Sequence, residues 1–267
     1  MHDSAARLCR ETHNAKEKYQ SLVERILTLT TTSQQHRSIL GLGTPFATRW
    51  GLVLLLGPLV YMLYRAMQPL ALALFGLPIA MAYPIPVFYG PALVFLGSMF
   101  LLHKRFFADI PFVGTCSRKS AVGGVIAVSA VYVATYVAAY LLGQPREPSM
   151  VSLYQFKTDT QLVVLVISLL VLPPIVEELA FRHFILSTLP FNASVSISRV
   201  AVTATALFFV YAHGYIYLTT KLLIFAVAMI FGFARVRSGG LLLPIGLHAY
   251  AIAFGLVCNQ VVACLEN

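Results

Sequence analysis

The stretch QLVVLVISLLVLPPIVEELAFR, Gln161–Arg182, decides the fold. From Gln161 to Val176 it carries no charge, and its apolar character resumes up to Leu189. That exceeds the roughly 20 residues a helix needs to cross a bilayer. Two adjacent prolines, Pro173 and Pro174, interrupt it, and Glu177, Glu178 and Arg182 follow at once. Ionisable groups at membrane depth are costly, and they usually face a protein interior and serve a function.

The same character extends outward from this stretch. The chain has 267 residues, 58% hydrophobic and only 11% charged, against roughly 25% charged in an ordinary soluble domain. Between Gln161 and Leu265 the acids are Glu177 and Glu178 alone, side by side. That half of the chain cannot dress a surface in water. Further apolar runs occur at Trp50–Met67, Ala121–Gly143, Val200–Leu218, Lys221–Phe233 and Leu241–Leu265. Pro69–His103 is long for one span and short for two. Pro78, Pro84, Pro86 and Pro91 predict either one kinked span or a re-entrant pair. The fold class expected is all-α, a polytopic transmembrane bundle of seven or eight helices in a lipid bilayer.

Three regions are expected: a polar N-terminal arm over 1–48, membrane helices and loops over 49–160, and the charged-motif bundle over 161–267. Within the arm, Ala15–Leu29 has Leu22, Ile26 and Leu29 on one stripe, the pattern of a surface helix. The arm has no apolar core segment, so the first membrane helix is expected to act as the insertion signal. The net charge of +9 sits in the arm and between apolar runs, which reads as topology and headgroup contact, with no nucleic acid as partner. With the arm in the cytosol and 69–103 as one span, the cytosolic loops hold Lys104, Arg105, Arg118, Lys119, Arg199, Arg235 and Arg237. The opposite side holds Arg65, Arg146, Lys157 and Lys221. Cys9, Cys116, Cys258 and Cys264 show neither disulfide nor zinc-knuckle spacing.

The chemistry lies in three helices. Glu178 and Arg182, four apart, share a helix face and can pair. Glu177 lies about 100° away around the helix and has no counter-charge on its own helix, as suits a general base. Phe209 and His213 are also four apart, and His248 follows Pro244 by four. A glutamate and two histidines from three helices can activate water and stabilise an oxyanion, or bind a metal. Phe209 and Tyr217, the latter four residues past His213 with a donor hydroxyl, are the candidate substrate contacts. HExxH is absent, so a zincin is not indicated.

Glu-Glu-x-x-x-Arg, then Phe-x-x-x-His, then a late His resembles the CPBP intramembrane proteases, over roughly Gln161–Gly255. These include type II CAAX prenyl endopeptidases and bacterial bacteriocin-processing and immunity proteins. The resemblance implies that Glu177 and His213 activate the attacking water and His248 stabilises the oxyanion, while Glu178 and Arg182 hold the site together. It implies a prenylated protein as substrate, losing its last three residues, in the endoplasmic reticulum membrane of a eukaryote or the cell membrane of a bacterium. Zinc held by Glu177, His213 and His248 is the alternative way to activate the water. The chain departs from the family pattern at Ile252, where an Asn is usual four residues after the histidine, and at His183, where bacterial members often have Gly. The competing readings are a non-catalytic binding or immunity protein and a small proton-coupled transporter using the glutamate pair.

Overall fold

The computed structural model describes residues 50–106 and 111–266. The polar arm with its expected helix Ala15–Leu29, Cys9 and Asp109 lie outside the described residues. Every regular element described is helical: α1 Trp50–Phe75, α2 Leu77–Ala82, α3 Pro84–Phe106, α4 Arg118–Leu141, α5 Pro148–Tyr154 and α6 Asp159–Glu177 come first. A π-helical turn, Glu178–Ile185, and a 3-10 turn, Leu186–Thr188, extend α6. They are followed by α7 Val195–His213, α8 Leu218–Ser238 and α9 Leu242–Glu266. Six of the described helices are long and apolar enough to cross a membrane. The protein is an integral, multi-pass membrane bundle.

Local chemistry sets the helix ends. Ser117, Thr158 and Ser194 accept from the backbone N–H three residues on, and Gln161 completes a capping box with Thr158. Gly214 and Gly239 stop α7 and α8 in the left-handed conformation. The proline-rich segment resolves in a way its sequence leaves open. Pro69 stays inside α1, which runs on to Phe75 rather than stopping near Met67. The chain turns at Gly76, and Pro78 and Pro84 stand in the first turns of α2 and α3, where a missing N–H costs nothing. Residues 69–103 are therefore the end of one long helix, a short helix and a second long helix.

Outward faces are apolar: Leu74, Val94, Ile126 and Leu207 are exposed, as lipid-facing positions are. Inward contacts use small residues, which let helices approach closely. At Gly57 an added Cβ would lie 2.6 Å from the carbonyl oxygen of Phe184, so α1 presses directly on the π-helical turn. The largest core cluster gathers Val60, Tyr64, Leu96, Phe100, Val176, Phe181 and Phe209 around that turn.

Candidate active site

The floor of the site is the junction of α6 with the π-helical turn. Pro173 and Pro174 cannot donate to the carbonyls of Leu169 and Leu170, four residues earlier. The ladder then widens at Glu178 into the π turn, a geometry found often at functional sites. Glu177 and Glu178 are both buried here, at 5% and 0% exposure.

Their partners differ. Glu178 stands 3.2 Å from Nε of Arg182 and 2.9 Å from Nδ1 of His248. Arg182 donates to the carbonyl of Ala228 at 3.2 Å, and its guanidinium lies over the rings of Phe209 and Phe231, at 4.5 and 5.6 Å from the centroids. Glu177 has no such lock. The hydroxyl of Tyr89 in α3 donates to its Oε1 at 2.7 Å. Its Oε2 faces Nε2 of His213 at 3.5 Å and Nε2 of His248 at 3.7 Å and, like Oε2 of Glu178, is left without a hydrogen bond.

The two histidines are oriented from behind. Nδ1 of His213 donates to the carbonyl of Phe209 at 2.8 Å, so in the neutral ring Nε2 carries the lone pair. The ring packs between Phe209 and Tyr215, centroids 4.3 and 5.5 Å away. His248 stacks on Phe231 at 5.0 Å, with Glu178 holding Nδ1. Glu177, Glu178, Arg182, Phe209, His213 and His248 thus meet in one place. Among the described residues, no group of three or more histidines, cysteines and carboxylates is arranged to hold a metal ion. That includes the trio Glu177, His213 and His248 named for zinc.

The site opens into a cavity of about 560 Å³. Tyr132, Leu223, Val227, Ala251, Ile252 and Leu256 supply much of its apolar wall, and Gln144, Arg146, Thr219 and Asn259 are polar residues further along it. Ile252 lines the cavity one turn past His248, so no donor stands at that position. Tyr217 is not among the lining residues, whereas Tyr215 is. Because α7 ends at His213, the four-residue step to Tyr217 is not taken on a helix, and Tyr217 instead caps α8, with its N–H 3.4 Å from Glu147.

His183 lies outside the cavity. It is fully buried, and its Nε2 shares a 2.9 Å hydrogen bond with Nδ1 of His103.

Residues 159–254 match the family described as type II CAAX prenyl endopeptidase Rce1-like. A relative from Escherichia coli, an uncharacterized 24.3 kDa protein, is 34% identical over 170 residues, covering 63% of this chain and 78% of its own length. The chain belongs to the Rce1-like family. No solved structure matches it. The Rce1-like match covers the π turn, His213, His248 and the helix α8 between the two histidines. It stops short of Tyr89, which reaches Glu177 from α3, 88 residues earlier.

Proposed function

We propose that the protein is an intramembrane endopeptidase that hydrolyses a peptide bond next to a lipid-bearing or strongly apolar segment. The observation that carries this reading is the free Oε2 of Glu177 facing the lone-pair nitrogen of His213 at 3.5 Å inside a cavity. Two acceptors so placed hold a water by its two hydrogens and leave an oxygen lone pair to attack a carbonyl carbon. Glu177 takes the water's proton as the C–O bond forms, then passes it to the leaving nitrogen as the C–N bond breaks. His248, when charged, presents Nε2–H to the developing oxyanion while Glu178 holds the opposite nitrogen.

The finer reading rests on family membership: the substrate is a prenylated polypeptide that loses its C-terminal tripeptide. The apolar cavity wall is compatible with an isoprenoid chain. The test is to mix purified protein in detergent with a farnesylated peptide and weigh the products by mass spectrometry. A released tripeptide, formed at an unchanged rate in phenanthroline, is the expected result. Ile252 favours a second reading, a non-catalytic member that binds without cleaving. Intact folded protein that cleaves no lipidated peptide would establish that reading instead.

A further inference from the structure

His213 is the last residue of its helix, and the chain beyond it is a short turn. α7 ends at His213 and α8 begins at Leu218, so Gly214–Tyr217 alone joins them. One residue of this turn, Tyr215, is buried and stacks on the His213 ring, with centroids 5.5 Å apart and planes 25° from parallel. The imidazole that faces Glu177 is therefore held on one side by Phe209 of its own helix and on the other by the turn. Whatever fixes the turn also fixes that ring.

The first N–H groups of a helix have no partner within it. α8 starts with no side-chain cap of its own and no acid in its first turn. The missing acceptor comes from a distant element. Glu147 stands directly before α5, and its carboxylate accepts from Ile216 N–H at 2.9 Å and from Tyr217 N–H at 3.4 Å, across 69 and 70 residues. The side chain is buried, at 7% exposure. Its own backbone is anchored, because its carbonyl accepts from the N–H groups of Met150 and Val151 in the first turn of α5. Three residues earlier, Gln144 donates to the hydroxyl of Thr219 at the start of α8. The α4–α5 connection thus grips the turn and the helix after it at three residues. Glu147 also lines the same cavity as His213 and Tyr215, and it lies outside the Rce1-like match, which begins at residue 159.

We infer that Glu147 is a positioning residue for His213. Its carboxylate clamps Ile216 and Tyr217, the clamped turn fixes Tyr215, and Tyr215 holds the imidazole with Nε2 toward Glu177. Hydrogen bonds to an ionised acceptor are roughly twice as strong as neutral ones, which suits a contact that must hold a ring to within about 0.5 Å. The half of the chain before the matched region therefore does more than enclose the site: Tyr89 orients the glutamate, and Glu147 orients the histidine opposite it. The catalytic consequence rests on the endopeptidase reading, whereas the mechanical link from Glu147 to His213 does not.

The link is tested first without turnover, on the full chain in detergent. Glu147→Ala removes both acceptor oxygens, and Glu147→Gln keeps one. Hydrogen–deuterium exchange at Ile216 and Tyr217 should be roughly tenfold faster in Glu147→Ala, with the interior of α7 unchanged. Diethyl pyrocarbonate should then modify His213 at least threefold faster than in the parent, and His248 at the parent rate. Glu147→Gln should show the same changes at a smaller size, and it carries the comparison if Glu147→Ala does not fold. On a farnesylated peptide, kcat of Glu147→Ala should fall roughly 10–100-fold, as a displaced catalytic group predicts, with KM within threefold. Adding Glu147→Ala to Tyr215→Ala should slow the enzyme no further, since both act through one ring. Unchanged exchange, or faster exchange with His213 modified at the parent rate, overturns the inference. A parent protein that cleaves no peptide overturns the endopeptidase reading alone, and exchange and modification still decide the clamp.

Discussion

The wall of the cavity at Glu177 and the packed seam behind it at Glu178 are one residue apart and have opposite surroundings. At Glu178 every neighbour is a fixed protein group: the Arg182 guanidinium, the His248 ring and the helix that receives Arg182. At Glu177 one oxygen is held by Tyr89 and the other faces open volume between two histidines. The same side chain is a structural tie in one place and part of the cavity lining in the other. Sequence adjacency does not make the two interchangeable.

The sharpest way to break this contrast is Glu177→Gln. General acid–base catalysis contributes about 10²–10⁴ in rate. The mutant should lose that much kcat on a farnesylated peptide while its melting temperature stays near that of the parent. Activity within tenfold of the parent would remove Glu177 from the chemistry.

Glu178→Gln tests the other side. It leaves Arg182 buried without its carboxylate, at a cost of about 3–5 kcal/mol. Thermal unfolding in detergent should therefore show Glu178→Gln melting well below Glu177→Gln. Coincident melting curves would mean that the seam is not the structural element of the pair.

Tyr89→Phe sharpens the contrast further. A hydrogen bond to a charged group is worth about 1.5–3 kcal/mol. Losing it should free Glu177 and lower kcat by about 10–100-fold, with a smaller effect on melting than Glu178→Gln. An unchanged kcat would make Tyr89 a packing residue only.

The smallest effect is expected further along the cavity lining. Ile252→Asn should raise kcat several-fold by adding a donor one turn past His248, less than the roughly 10²–10³ attributed to a fully aligned oxyanion donor. Tyr215→Phe should lower it and Tyr217→Phe should not, since Tyr215 stands in the cavity lining. A response to Tyr217→Phe alone would restore the sequence-based expectation.

Short-range helix geometry explains what was legible in advance. Glu178 with Arg182, and Phe209 with His213, are four apart, and the structure finds each pair in contact. The apolar runs foretold the bundle, since little else can satisfy the backbone in lipid. Where the periodicity ended, the sequence no longer fixed which residues face the cavity. Gly214 leaves the helix, so Tyr215 and not Tyr217 joins the lining. Tyr89 lay in a proline-rich stretch whose prolines were read as breaks, although Pro84 begins the helix that carries it. Nothing local ties that tyrosine to a glutamate 88 residues away. The His103–His183 bond is equally non-local.

The π-helical turn over Glu178–Ile185 also has a consequence for how this chain can change length. Deleting one residue from Leu179–Phe181 would let the backbone relax into an ordinary α ladder, so the helix itself would survive the loss. Because a π turn holds one residue more than the α turn that would replace it, the helix beyond would keep its direction, and Glu178 and Arg182 would become three residues apart. A gene that drifts by substitution can keep this turn, whereas one that drifts by single-codon loss cannot. The four-residue spacing of Glu178 and Arg182 thus goes with the π turn that carries both.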